Sequence, residues 1–242
     1  MLLILIQGLR MDAYIITIGD ELLAGDVPND NATWLAKKLT QKGIKVKKII
    51  VIPDDVALIK KELDEIKDNN GYIFITGGLG STHDDVTRDA VSLFLKKDLK
   101  PVNNEMFEID IMNTRLQKMI EIPVGTKPIF NKIGGAIGFI IEDRIFVMPG
   151  VPEEMRSMFL SIEDKLKGDR FYTRWIMTKR TEADIGEILE DATIKFNVKI
   201  GSYPQRYDKG DFVLKIKIES TDKTEVESAI NWLGDRFEIT CI

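Results

Sequence analysis

From Tyr72 to Thr76 the chain runs Tyr-Ile-Phe-Ile-Thr and then turns at once into Gly77-Gly78-Leu79-Gly80. A short run this continuously apolar fits a strand covered on both faces, so layers must pack above and below it. A helical pattern over about 87–97 follows, which makes the segment strand, loop, helix. The chain before it repeats that order. Tyr14 to Ile18 is an apolar run ending at Gly19, and residues 31–41 then carry Ala32, Leu35, Ala36 and Leu39 at helical spacing. Asn29 or Asp30 can cap that helix and Gly43 can end it. Residues 44–52 read as a β-branched strand, and 55–67 as a helix with Val56, Ile59, Leu63 and Ile66 on one face. Such alternation calls for a mainly parallel sheet sandwiched by helices.

A helix-like stretch over 104–119 comes next, then strands near 128–131, 137–141 and 144–148, with a hairpin turn at Glu142-Asp143 between the last two. Pro149-Gly150-Val151-Pro152 breaks the chain, and helical spacing resumes over 153–166. Beyond Asp169 the order is strand (172–179), helix (182–196), strand (198–203), strand (212–219) and helix (223–237), most of a ferredoxin-like split unit. The expected fold class is therefore α/β: a three-layer domain with a mainly parallel sheet over 12–168, and a small α+β ferredoxin-like domain over 169–242. Residues 1–11 are expected to be an N-terminal extension or an extra edge strand.

Of the 242 residues 44% are apolar and 30% charged, which excludes a disordered chain, and a net charge of −5 gives no general attraction to DNA, RNA or anionic lipid. The single cysteine, Cys241, excludes an internal disulfide framework and fits a reducing, cytoplasmic setting. Met1 to Ile6 is apolar but lacks a basic start and stops at Gln7, short of a membrane span. The expected partner is a phosphorylated small molecule.

The strongest chemical signal is the run from Thr76 through Gly77, Gly78, Leu79, Gly80, Ser81, Thr82, His83, Asp84, Asp85 and Val86 to Thr87, at the carboxyl end of a buried strand. Ligands of open α/β sheets bind at such ends. Three glycines let backbone N–H groups approach an anion, Ser81 and Thr82 add hydroxyl donors, and the following helix adds its positive end. Asp84 and Asp85 beside an anion site are unfavourable unless they hold a metal ion that bridges to the phosphate; the alternative is that they cap the helix. Gly19-Asp20-Glu21-Leu22-Leu23 follows the first strand, so its acids should reach the same rim and share a magnesium ion, or else lie in a solvated loop. Pro149-Gly150 is a stiff turn that can shape the pocket wall with Glu154 near the ligand, or simply start a helix. His83 is the only histidine, which leaves little room for histidine metal sites, and neither a P-loop nor a dinucleotide fingerprint occurs.

Taken together, Gly19-Asp20-Glu21-Leu22-Leu23, Asn31, the segment from Thr76 to Thr87, Asn131 and Pro149-Gly150-Val151-Pro152-Glu153-Glu154-Met155 resemble the CinA-type branch of the molybdopterin-binding domain family. The resemblance covers about 12–167, and the tail is similar to the small middle domain of CinA-like proteins. It implies a three-layer α/β fold, a pocket at the strand ends and homo-oligomers. Wider members bind molybdopterin; the CinA-like branch is associated with metal-dependent hydrolysis of ADP-ribose and related pyrophosphates, and a similar domain is fused to some FAD synthetases. The C-terminal amidohydrolase domain of full-length CinA has no counterpart in this sequence, so nicotinamide-nucleotide deamidation is not expected. Ser81 stands where the branch usually has proline. The resemblance thus implies catalytic and metal-binding Asp20, Asp84 and Asp85 with Mg2+ or a similar divalent ion. Ligand contacts are expected from Glu21, Asn31, Thr76, Gly77, Gly78, Leu79, Gly80, Ser81, Thr82, Thr87, Pro149, Gly150 and Glu154. The alternative is the same pocket holding molybdopterin or its adenylate without hydrolysis.

Overall fold

The computed structural model describes residues 11–102, 114–169, 172–206 and 212–242, in two compact units that divide between Gly168 and Asp169. The expected N-terminal extension and most of the helix expected over 104–119 lie outside the described residues.

In the first unit the chain forms β1 (Asp12–Ile18), α1 (Asp20–Ala24), α2 (Asp30–Gln41), β2 (Lys45–Ile52), α3 (Val56–Ile66), β3 (Tyr72–Thr76) and α4 (Thr87–Leu95). It continues through β4 (Leu99–Pro101), α5 (Thr114–Met119), β5 (Glu121–Pro123), β6 (Lys127–Ile129), β7 (Gly138–Ile141), β8 (Ile145–Met148) and α6 (Pro152–Ile162). Six strands make one sheet in the order β2-β1-β3-β8-β7-β6, while β4 and β5 pair as a separate antiparallel ribbon. The β1, β2, β3 and β8 strands are mutually parallel, and β7 and β6 add antiparallel at one edge.

The alternation of side chains along buried strands explains the three layers. Ile16, Ile73, Ile75, Ile145 and Val147 point to one face, where α3 brings Ile59 and Leu63 and α4 brings Ala90 and Val91. Ala13, Ile15, Tyr72, Phe74, Phe146 and Met148 point to the other, against Leu35 and Leu39 of α2 and Met155, Met158 and Phe159 of α6. Phe74 and Phe146 stack at 5.0 Å between centroids, and Phe159 tilts onto Phe74 at 5.9 Å.

Local signals set the helix ends. Asn29, rather than Asp30, caps α2 by accepting from Ala32 N–H at 3.2 Å, and Asp55 caps α3 by accepting from Leu58 N–H at 2.9 Å. The α4 helix stops at Leu95, earlier than its pattern implies, because Lys96 takes a left-handed conformation. Glu142 and Asp143, both at positive φ, form the hairpin turn between β7 and β8.

The second unit comprises β9 (Tyr172–Thr178), α7 (Glu182–Phe196), β10 (Lys199–Arg206), β11 (Phe212–Ser220), α8 (Lys223–Gly234) and β12 (Thr240–Cys241). Its antiparallel sheet runs β10-β11-β9-β12, so the last two-residue strand completes the split pattern that the sequence shows only in part. Among the described residues no helix is long and apolar enough to cross a membrane.

Phe74 has no exposed surface and three aromatic neighbours, Tyr72, Phe146 and Phe159. Replacing it with alanine is expected to lower stability by about 3–5 kcal/mol in urea unfolding of the full chain, as buried Phe→Ala changes do. A loss under about 1 kcal/mol would mean that this layer is not packed as described.

Candidate functional site

Because β1, β2, β3 and β8 are parallel, their carboxyl ends open on one rim. Gly19, Asp54, Gly77 and Pro149, which follow them, all line one cavity of about 350 Å3. Its wall also includes Glu21, Gly78, Leu79, Gly80, Asp84, Asp85, Gly150 and Glu154. A smaller cavity of about 110 Å3 shares Glu21 and Gly150 with it and is lined further by Asn31 and Thr76.

Gly77 is where the segments meet. Its N–H donates to the Met148 carbonyl at 3.2 Å, and its own carbonyl accepts from the Thr87 hydroxyl at 2.9 Å. With φ at +110° and a would-be Cβ only 2.1 Å from the Ile18 carbonyl oxygen, the position admits glycine alone; Gly78, at φ +63°, would likewise drive a Cβ into the Thr87 hydroxyl. Asn31 fastens the rim from the other side, its amide nitrogen donating to the Thr76 hydroxyl at 2.9 Å and the Gly150 carbonyl at 2.7 Å.

The paired aspartates do not act as the cap of the helix that follows them. Val86 is the N-cap of α4 and makes no side-chain cap bond, so neither Asp84 nor Asp85 caps that helix. Asp85 instead folds back into the loop: its two oxygens accept from Gly80 N–H at 2.7 Å and Thr82 N–H at 2.8 Å, and the Thr82 hydroxyl donates to both Asp84 and Asp85. Loop donors expected to face a ligand are therefore partly committed. Gly78, Leu79 and Ser81 are left with N–H groups that make no hydrogen bond within the described residues.

Ser81, Thr82, Thr87 and Asp20 do not line the cavity. Thr87 is buried and acts as the tie to Gly77. Among the described residues no three His, Cys, Asp or Glu side chains are grouped so as to hold a metal ion. The set of Asp20, Asp84 and Asp85 is thus not assembled as a protein-only cage, because Asp85 is turned into the loop and Asp20 lies outside the lining. His83 is almost wholly exposed.

Two residues at or behind this rim, Asp54 and Arg88, escape a reading of the sequence, and a third, Asn131, belongs to the resemblance without a role. Asp54, just past β2, lines the cavity and accepts from Asp20 N–H at 3.0 Å. Burial raises its pKa; the Asp20 N–H bond opposes that, while the charges of Asp20, Glu21 and Asp84 add to it. Its signal was Pro53-Asp54 at the end of a β-branched strand, the same cue that marks Asp20. Arg88 is completely buried behind the loop, where a charge on a helix ordinarily reads as solvated. Asn131 orients Glu154 through a 2.6 Å bond, while its own oxygen accepts from Ile133 and Gly134 N–H.

The lining has five carboxylates, Glu21, Asp54, Asp84, Asp85 and Glu154, and no lysine or arginine. Residues 14–167 match the family described as the probable molybdopterin binding domain, and residues 170–242 match the middle domain of FAD synthase. The chain belongs to the first of these, the MoaB/MogA-like family. A protein of Archaeoglobus fulgidus is 36% identical over 225 residues, covering 91% of this chain and 95% of the relative. One of Pyrococcus abyssi is 35% identical over 247 residues, covering 93% and 97%. Among solved structures, CinA of Thermoplasma acidophilum, a protein of unknown function, superposes with a TM-score of 0.59 at 29% identity, over 65% of this chain and 99% of that one.

A carboxyl group whose folded pKa is raised weakens the fold once pH climbs above its unfolded value of 3.8, and the penalty is complete above the folded pKa. Asp54→Asn is therefore expected to raise the melting temperature at pH 7, with the gain vanishing as pH falls below the ordinary aspartate range. A variant no more stable at pH 7, or equally stabilised at pH 3, would contradict the burial of Asp54 among neighbouring acids.

Proposed function

We propose that the first unit hydrolyses the pyrophosphate of ADP-ribose-like nucleotides, which reach the cavity together with a divalent cation. The observation that carries this reading is a lining with five carboxylates and no basic side chain, at a rim that also offers free backbone N–H groups. Two like charges 4 Å apart oppose each other by about 4 kcal/mol at an effective dielectric near 20, so a bare pyrophosphate is strongly disfavoured here. A magnesium ion carried on the pyrophosphate removes that conflict, and it needs only one or two protein carboxylates, since phosphate oxygens and waters complete its shell. This requirement suits the site better than a cage of three acids does.

Asp84, in the lining and with only one of its oxygens engaged by Thr82, is the carboxylate best suited to meet such an ion. Bound there, the ion would acidify a water and neutralise charge developing on the phosphorus oxygens. The chain's own residues supply the rest. Gly78 and Leu79 N–H groups are the donors for a phosphate oxygen, and Asp54, whose affinity for a proton is raised, accepts the proton of the attacking water. The products are AMP and ribose 5-phosphate. The match of the second unit to an FAD synthase domain supports a nucleotide as the ligand class. The description of the first family supports a second reading, in which the cavity holds molybdopterin or its adenylate without cleaving it.

Incubating the full chain with ADP-ribose or FAD and magnesium should release AMP, and Asp84→Ala should cut turnover at least about a hundredfold, the scale of a few kcal/mol of electrostatic stabilisation. Undiminished hydrolysis in that variant would remove the mechanism. No AMP from any dinucleotide, with a pterin still bound, would put the binding reading in its place.

A further inference from the structure

Arg88, the second residue of α4, heads the fully buried side chains by size, and nothing in the reading above uses it. A guanidinium taken out of water is tolerated only when its donors are met. Here four hydrogen bonds, all to backbone carbonyls, engage each of its three nitrogens. Nη1 donates to Leu79 at 2.6 Å, Nη2 to Met119 at 2.8 Å and Ile137 at 3.2 Å, and Nε to Glu121 at 2.9 Å. These carbonyls come from three separate stretches of the chain, each part of the cavity wall or next to it: Leu79 and Met119 line it, and Ile137 follows Ala136, which does. Burial draws the Arg88 pKa down to about 10 while Asp85, Glu121 and Asp89 oppose that, so the group is charged at neutral pH. Asp85 is the same residue that grips Gly80 and Thr82. The loop is thus held from two sides, its carbonyl at Leu79 by a cation and its N–H groups at Gly80 and Thr82 by an anion.

A rigid planar fork with five donors can bridge three segments at fixed angles, whereas a lysine is a point charge on a flexible stem. An apolar side chain would fill the space and strip a charge-assisted donor from four carbonyls, of which, among the described residues, only that of Met119 keeps another partner, the Ile137 N–H at 2.9 Å. We infer that Arg88 is a positioning residue for the anion loop, clamping Leu79 to the opposite wall through Met119 and Ile137 so that the free N–H groups beside it stand ready for a phosphate. The identity of that phosphate rests on the nucleotide reading proposed above; the clamp itself does not.

The test uses full-length Arg88→Lys and Arg88→Met. In the free protein, hydrogen exchange at the Gly80 and Thr82 amides should accelerate about tenfold or more, the scale of one lost charge-assisted hydrogen bond, while Ile73 and Ile75 amides of β3 keep their rates. With magnesium ADP-ribose the KM should rise about tenfold and kcat change far less, because the loop binds phosphate before it does anything else. Loop exchange unchanged in a folded Arg88→Lys chain overturns the inference. So does acceleration that is equal in the loop and β3 with KM unaltered, since that marks a general loss of stability. If Arg88→Met fails to fold, Arg88→Lys decides alone. If the unaltered chain neither binds nor cleaves magnesium ADP-ribose, the nucleotide reading fails, and the exchange rates still decide the role of Arg88.

Discussion

The site depends on a steric constraint at Gly77. Its backbone lies so close to the Ile18 carbonyl that even a methyl group cannot enter, and Gly150 would set a Cβ 3.3 Å from its Cα. The end of β1, the end of β3, the start of α4 and the turn after β8 therefore converge within one or two bond lengths of contact. Parallel pairing brings these strand ends to one rim; the absence of a side chain at Gly77 lets them close on one another. The cavity that Glu21, Asp54, Asp84 and Glu154 line opens beside that junction, whose Gly77 is itself part of the wall.

Around this junction the loop satisfies much of its own polarity. Asp85 takes two N–H groups that a simple phosphate cradle would offer outward, and Thr87 takes the Gly77 carbonyl. What remains is a small set of free donors within a strongly acidic lining, the pattern on which the proposed pairing of anion with cation rests. Burial, and to a lesser degree three neighbouring acids, raise the Asp54 carboxyl within that lining. The function proposed for the chain is this charge pattern expressed as chemistry.

Most of the architecture was legible in the residues because its signals are local and periodic. The uninterrupted Tyr72–Thr76 run demanded two covering layers, and the spacing of Ile59, Leu63 and Ile66 supplied one of them. Short elements carry too few residues for a period, so α1, the β4–β5 ribbon and β12 were not visible. At the site, glycine and carboxylate types at strand ends were readable, but what each carboxylate bonds to was not. Asp85 bends back over five residues to Gly80, a contact that composition cannot distinguish from a helix cap. Arg88 is the clearest case: only the fold reveals that its partners are carbonyls from residues 79, 119, 121 and 137. Asp54 follows β2 much as Asp20 follows β1, but the Asp55 next to it caps α3, so in the sequence the pair merges with a helix start.

The most direct measurement is calorimetric titration of ADP-ribose into the full chain, once with excess magnesium and once with a chelator, at the same ionic strength. An acidic cavity that takes its anion only with a cation requires binding in magnesium and its loss, by at least about a hundredfold or some 3 kcal/mol, in the chelator. Equal affinity in the two conditions would contradict the account at its root.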